Sequence, residues 1–292
     1  MTFDNAPVVT PLTLLDGSRH IYLKDETRQT SGAFKYRGAF AKLSTIPTSR
    51  KVVTASTGNH GIAVAEVAAR LGHSAHVFVP VGTPSFKLAL LKNSGAAVTV
   101  AEKHLDESAA VAKEWAHSAE AQWISGFDDL EVVDGYRPMF REIGNVANAH
   151  QRIFVPVGGG GLLAAALLEC EFSEVIAVQS EGATSLEESM NSQYPKRVNP
   201  VSTLATGLAV PLIGRLAYDL CARVRPRLLR VSDADMISAM RLLWNSNGIR
   251  AEAAGAAALA GALLFGNEDQ VRNVCIVSGG NVEPAVHATL IA

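Results

Sequence analysis

Short runs of β-branched and apolar residues alternate along this chain with longer segments whose apolar positions recur at helical spacing. In the first half the pattern predicts strands at 21–24, 51–55, 76–79, 97–100 and 122–124. Helices are expected between them at 61–71, stopped by Gly72, at 86–93, ending near Gly95, and at 105–119. Further on it predicts a helix at 136–149, strands at 153–157 and 175–179 with a helix between them, and a late strand at 271–278. Such alternation implies an α/β fold with two lobes of parallel-type sheets flanked by helices and a cleft between the lobes. Residues 50–128 hold enough strand–helix–strand units to form a small domain. That leaves 1–49 and 129–292 to build a larger one around the strands that begin at Ile153 and Val271.

Composition narrows the class. Hydrophobic residues make up 48%, ample for a sizeable core, and the 26 basic residues nearly balance the 28 acidic ones. No basic field exists to hold nucleic acid or an anionic membrane. The run Arg223-Val224-Arg225-Pro226-Arg227 is short and reads as a solvated connection. The segment 162–168 is apolar all round but far short of the ~18 residues needed to cross a bilayer, so it is expected as a helix inside the fold. Cys170, Cys221 and Cys275 lack metal-ligand spacing and are expected as small hydrophobes of a reduced, cytoplasmic protein. The opening Met1-Thr2-Phe3-Asp4-Asn5 has neither the basic region nor the apolar run of a signal peptide.

Four stretches carry candidate chemistry. The strand-like Arg152-Ile153-Phe154-Val155-Pro156-Val157 runs into Gly158-Gly159-Gly160-Gly161 and then an apolar helix start. Backbone N–H groups converge at such a junction, where the helix dipole is positive, and four glycines let the backbone close on a phosphate. The spacing is neither a dinucleotide fingerprint nor a Walker A loop, so a single phosphate group is the expected ligand. Ser56-Thr57-Gly58-Asn59-His60-Gly61 likewise joins a strand to a helix, with hydroxyl and amide groups suited to a carboxylate. Asn59 could equally be a simple helix cap, and His60 reads better as a helix-start residue than as a base. Ser278-Gly279-Gly280-Asn281 ends a strand with a hydroxyl; Ser-Gly-Gly is also ordinary turn composition. Lys35 lies in Ser31-Gly32-Ala33-Phe34-Lys35-Tyr36-Arg37-Gly38-Ala39, between aromatics and small residues. Most lysines are surface residues, but an amine held partly out of water loses its proton more readily and can attack a carbonyl.

Order and spacing of these motifs, from Thr10-Pro11-Leu12 to Ser278-Gly279-Gly280-Asn281 and including Glu252-Ala253-Ala254-Gly255-Ala256, resemble one family. The chain is similar to the fold-type II pyridoxal-5'-phosphate enzymes of the tryptophan synthase β-subunit superfamily, nearest their threonine/serine dehydratase and serine racemase branch. The resemblance implies an active site in the cleft, with Lys35 carrying pyridoxal phosphate as a Schiff base and shuttling the Cα proton. It implies that Gly158, Gly159, Gly160 and Gly161 hold the phosphate, that Asn59 meets the ring's phenolic oxygen and that Ser278 faces the ring nitrogen. Ser56, Thr57, Asn59 and His60 resemble the loop that receives the substrate carboxylate. A homodimer acting on a small amino acid is implied as well.

His60 separates the chain from sulfhydrylase and threonine synthase branches, which usually place threonine after the asparagine, and points to β-elimination. Thr57 stands where racemases carry a serine that acts as the second acid/base, so it keeps a racemase side activity open. Ser202 and Thr206 stand where metal-activated members carry acids, and hard cations want carboxylates, so no metal is expected. Gly135-Tyr136-Arg137-Pro138 departs from the Gly-Gln-Gly-Thr of many dehydratases and leaves the substrate open. The chain ends soon after Asn281, so no regulatory domain and no isoleucine feedback are expected. The reading is a lyase that releases a 2-oxo acid and ammonia from serine, threonine or 3-hydroxyaspartate. A racemase or β-replacement synthase on the same scaffold, and a non-catalytic phosphate- or cofactor-binding protein, are the alternatives.

Overall fold

The computed structural model describes residues 5–102, 104–144, 150–171, 173–266 and 271–292. Residues 1–4 and the expected helix end at 145–149 lie outside them. In chain order come β1 (Leu12–Leu14), β2 (Ile21–Asp25), α1 (Lys35–Leu43), β3 (Val52–Ala55), α2 (Asn59–Leu71), β4 (Ala75–Val79) and α3 (Ser85–Asn93). Next are β5 (Ala97–Val100), α4 (Leu105–Ser118), β6 (Gln122–Trp123), α5 (Leu130–Ile143), β7 (His150–Pro156), α6 (Gly161–Glu169) and β8 (Glu174–Ser180). The chain closes with α7 (Ser185–Ser192), α8 (Arg215–Val224), β9 (Arg227–Val231), α9 (Asp233–Asn247), α10 (Ala253–Phe265), β10 (Val271–Val277) and α11 (Pro284–Ile291).

These strands form two sheets. The larger has the order β1-β2-β10-β7-β8-β9 and the smaller β5-β4-β3-β6. All pairings are parallel except β1 with β2. The α/β class with parallel-type sheets flanked by helices is therefore as expected. Central strands β7, β8 and β10 are buried along almost their whole length, which is why each holds a continuous apolar stretch of four or so residues rather than an alternating one. One core layer lies between the large sheet and α9–α10, another between that sheet and α5, α6 and α8.

Several elements depart from the periodic reading. The basic run at 223–227 is a connection only in its middle. Arg223 lies in the last turn of α8, Arg225 takes a left-handed turn (φ 57°), and Arg227 opens β9. Helix α5 starts at Leu130, ahead of the expected 136, because the Asp129 carboxylate caps it, accepting from the N–H groups of Glu131 (3.0 Å) and Val132 (3.3 Å). Helix α10 is alanine and glycine for most of its length and buried throughout its first ten residues, Ala253 to Ala262, so it carries no polar face to reveal it. At Gly261 an added Cβ would fall 2.7 Å from Val178 Cγ2, which is how closely α10 lies on β8.

Helix α1 was not marked by any apolar period either. Tyr36, Arg37, Gly38 and Ala39 are buried in succession, because α1 is wedged between α2 and α5. Glycines permit the crossing: a Cβ on Gly38 would meet the Tyr136 ring and Val132, and one on Gly135 would fall 2.6 Å from Ala41 Cβ and 2.7 Å from the Arg37 carbonyl. Arg37 supplies the other constraint. Its guanidinium donates to Glu26 (2.8 Å) and to both oxygens of Glu142 (2.6 and 2.8 Å). Lys24 adds a second cation on Glu142 (2.6 Å), and the Thr10 hydroxyl donates to Glu26 (2.6 Å). Burial alone would raise the Glu142 carboxyl, but hydrogen bonds from Arg37 and Lys24 hold it below the usual range. Replacing Arg37 by alanine strands the Glu26 carboxylate inside the fold, and such losses cost about 3–5 kcal/mol. The expected outcome is a correspondingly lower urea midpoint; an unchanged midpoint contradicts the role given to Arg37.

Candidate active site

A cavity of about 690 Å³ opens at the carboxyl ends of strands from both sheets, where parallel α/β folds place their ligands. Four strand ends supply its walls: the loop after β3 (56–58), the loop after β6 (125–129), the glycines after β7 (158–161) and Ser278 after β10.

The glycine stretch is shaped by its neighbours. Gly160 adopts φ +90°, a left-handed conformation, and caps α6. A Cβ on Gly158 would lie 2.6 Å from the Gly207 carbonyl, one on Gly160 would enter Ala217 and Ile213, and those on Gly159 and Gly161 would strike Phe127. The wall is thus bare backbone, ending in the first turn of α6, whose N–H groups have no partner within the helix. Helix dipole and N–H groups favour an anion there without any cationic side chain.

Lys35 is the first residue of α1. The turn before it is stitched to the end of β10: Ala33 bridges Gly279, Phe34 N–H donates to the Ser278 carbonyl (3.0 Å), and Gly280 N–H donates to the Gly32 carbonyl (2.9 Å). These bonds bring residues more than two hundred positions apart in sequence to one wall. The Lys35 amine donates to the Gly126 carbonyl and lies 4.9 Å from the Phe34 ring centre and 5.6 Å from that of Tyr136. Burial pushes its pKa down to about 7, far enough for the free base to be present near neutrality. The unusual 135–138 segment stands behind Lys35, inside α5; Tyr136 fills the groove left by Gly38.

Across the cavity, Asn59 opens α2. It is not the cap, which is Gly58; its side chain is turned elsewhere. Its amide nitrogen donates to Glu252, and its oxygen accepts from Asn281 Nδ2 (2.8 Å). Burial raises the Glu252 carboxyl, with the Asn59 hydrogen bond and the charge of Lys87 acting in the opposite sense. His60 is buried beneath the 124–126 loop, its Nε2 3.2 Å from the Ile124 carbonyl. Burial first, then the nearby Lys35, pushes its pKa down to about 3, so it is a neutral strut at the helix start. Ser56 Oγ accepts from Gly58 N–H (3.1 Å), while Thr57 lines the cavity half-buried. Ser278 is buried at the wall, its hydroxyl 3.4 Å from the Ala254 carbonyl.

All the site residues expected from sequence therefore border one cavity. Thr206 also lines it and accepts from Lys87 (3.2 Å), whereas Ser202 packs against Gly182. Among the described residues no group of three or more His, Cys, Asp or Glu gathers. Sequence reading missed three contributors. Glu252 stood only within a similarity motif, although an acid opening an alanine helix is itself a signal of use. Gly126 and Phe127, which hold Lys35 and press on the glycines, sit in a loop with no local pattern to mark them.

Comparison with known proteins fits this geometry. The model of the pyridoxal-phosphate dependent enzyme family matches residues 4–279, and the chain belongs to that family. The biosynthetic L-threonine dehydratase of Lactococcus lactis is 35% identical over 90% of this chain and 67% of its own length. The catabolic L-threonine dehydratase of Escherichia coli K12 is 33% identical over 90% of this chain and 83% of its own length. The chain spans little more than half (57%) of the biosynthetic enzyme of Salmonella typhimurium, to which it is 32% identical. Among solved structures, the processed threonine deaminase isoform 2 of Solanum lycopersicum superposes with a TM-score of 0.90 at 27% identity, covering 98% of this chain and 88% of that one. Maize serine racemase gives 0.89 at 25%, covering 97% and 91%. The fold is thus fold type II, in the threonine/serine dehydratase branch.

The depressed pKa of Lys35 has a direct consequence. Acylation of this amine by a neutral reagent, followed by peptide mass mapping, is expected to rise with pH through a midpoint near 7 and then level off. Surface lysines keep gaining reactivity up to about pH 10; if Lys35 behaves as they do, its burial has no chemical effect.

Proposed function

We propose that the protein is a pyridoxal-phosphate-dependent ammonia-lyase that removes the β-hydroxyl of a small hydroxy-amino acid. Serine, threonine and 3-hydroxyaspartate are the candidate substrates, and the products are a 2-oxo acid and ammonia. One observation carries the reading: a buried lysine amine, its pKa pushed down to about 7, shares a cavity with a side-chain-free glycine wall at a helix start. That pairing suits a molecule with an aldehyde at one end and a phosphate at the other.

The remaining walls fit the same group. Gly158 to Gly161 would take the phosphate, Asn59 would donate to the phenolic oxygen, and Ser278 would face the ring nitrogen. When bound, pyridoxal phosphate supplies a carbonyl that condenses with amines and a ring that draws electrons from the amino acid's Cα. Lys35 is the amine that binds it, and its low pKa makes it a nucleophile at neutral pH. With its amine in the cavity beside the place of the substrate's Cα, Lys35 would also serve as the base that takes the Cα proton. Ser56, Thr57 and the N–H groups at the start of α2 receive the substrate carboxylate and fix which Cα bond faces Lys35. His60 is neutral and props the 124–126 loop, which keeps the Gly126 carbonyl on the lysine. A hydroxyl at Ser278, unlike a carboxylate, would not hold a proton on the ring nitrogen of the bound group, which would suit elimination.

The same reading includes a cytoplasmic homodimer and a division into a small lobe (50–128) and a large one (1–49 with 129–292) meeting at the cavity. Among the described residues no helix is long and apolar enough to cross a membrane. Racemisation is the second reading, favoured by the hydroxyl of Thr57 at the cavity wall and the likeness to maize serine racemase.

With pyridoxal phosphate added, L-threonine or L-serine is expected to yield oxo acid, and Lys35→Ala to lower the rate roughly a thousandfold or more. Oxo acid formed by the alanine variant at the wild-type rate rules the mechanism out. D-serine formed faster than pyruvate makes racemisation the main activity, and Thr57→Ala then abolishes it.

A further inference from the structure

We propose that Asn281 is a positioning residue that decides which end of the Asn59 amide faces the cavity. The two ends of a carboxamide are nearly equal in size, so packing cannot choose between a donor and an acceptor; only hydrogen bonds can. At Asn59 the choice traces back to a backbone carbonyl. Asn281 Nδ2 lies 2.8 Å from the Ser31 carbonyl oxygen, which can only accept, and 2.8 Å from Asn59 Oδ1. The carbonyl therefore requires the NH2 end of Asn281 at that place, and the second hydrogen of that NH2 requires the oxygen end of Asn59. The NH2 end of Asn59 is left pointing away from Asn281, with one hydrogen on Glu252 and the other free for a ligand oxygen.

Two glycines make room for this relay. A Cβ on Gly32, which adopts φ +74°, would collide with the Asn281 amide, and a Cβ on Gly279 would lie 2.9 Å from Asn59 Nδ2 and 3.0 Å from Glu252 Oε1. Three polar side chains from α2, the α10 cap and the turn after β10 are thereby held in a space that only bare backbone leaves open. Glu252 strengthens the polarity, because a carboxylate oxygen accepts from an amide N–H and repels an amide oxygen. The chain Ser31 to Asn281 to Asn59 to Glu252 has a single consistent direction, and it presents a donor to the cavity.

The inference rests on the proposed placement of pyridoxal phosphate, whose phenolic oxygen would accept that donor. Asn281→Asp keeps the shape but removes both donated hydrogens, inviting the Asn59 amide to turn over; Asn281→Ala removes the side chain and leaves Asn59 unforced. Each variant is titrated with pyridoxal phosphate, following affinity and the position of the visible absorbance band, with circular dichroism reporting the fold. The expected order is wild type tightest, then alanine, then aspartate, the last weakened about tenfold, the scale of one hydrogen bond to a charged group. The aspartate variant is also expected to shift the band. A residue that merely fills space gives the reverse order, with alanine the more damaging, and that result overturns the proposal. So does an unmoved band in both variants.

In an Asn59→Ala background the aspartate substitution is expected to add nothing; an undiminished effect there shows that Asn281 does not act through Asn59, which likewise overturns it. If Asn281→Asp does not fold, Asn281→Leu replaces it as the variant that fills space without donating, and affinity at the wild-type level overturns the proposal. A wild-type protein that gives no visible band with pyridoxal phosphate refutes the reading of the cavity itself, a result separable from all of these.

Discussion

The guanidinium of Arg37, shared between Glu26 and Glu142 inside the fold, is the interaction on which the site depends. Arg37 sits two residues after Lys35 on α1, so whatever fixes the one aims the other. Glu26 follows β2 and Glu142 belongs to α5, and their carboxylates clasp the helix from the large sheet and from its flanking helix. A charged pair out of water gains little net stability over an apolar substitute, because desolvation offsets attraction. Its value is directional. A planar fork of N–H donors is satisfied in one orientation only, and that orientation directs the Lys35 amine into the cavity.

Close backbone approach is the second constraint, and it recurs at each wall. Gly38 and Gly135 let α1 and α5 cross near enough for Tyr136 to stand behind the lysine. Gly158 to Gly161 clear side chains from the anion wall, and Gly279 admits Asn59 and Glu252. The effect on chemistry is electrostatic. With apolar rings and backbone around it and no carboxylate among the described residues pairing with it, the Lys35 ammonium is poorly solvated and yields its proton near neutrality. The same burial keeps His60 neutral and raises the Glu252 carboxyl, so three groups that would all be charged or half-charged in water are tuned by one enclosure.

Much of the scaffold was legible. Buried parallel strands such as β7 and β10 end in unbroken apolar runs, Ile153 to Pro156 and Val274 to Val277, and helices with one wet face, such as α4, show their period. What stayed hidden has particular causes. Four consecutive buried residues in α1 erase the period, and α10 has no polar face at all. The start of α5 was masked by Val132, Val133 and Gly135, poor helix formers overruled by the Asp129 cap and by packing. β9 was obscured by arginines, which an edge strand tolerates on its exposed side.

By itself, then, the sequence determined the fold class, the glycine wall at a helix start, the Ser56–His60 loop, the lysine and the family to which they belong. These are local patterns, in which residue type and spacing along the chain already carry the physics. Only the tertiary structure decided that Gly126 would hold the Lys35 amine, that Phe127 would press on the glycines, and that Glu252 and Asn281 would flank Asn59. Those partners lie from about thirty to over two hundred positions apart, and contacts across such distances leave no period in a sequence. The polarity of an amide and the pKa of an amine depend on just these neighbours, so they became readable only once the two sheets had brought the strand ends together.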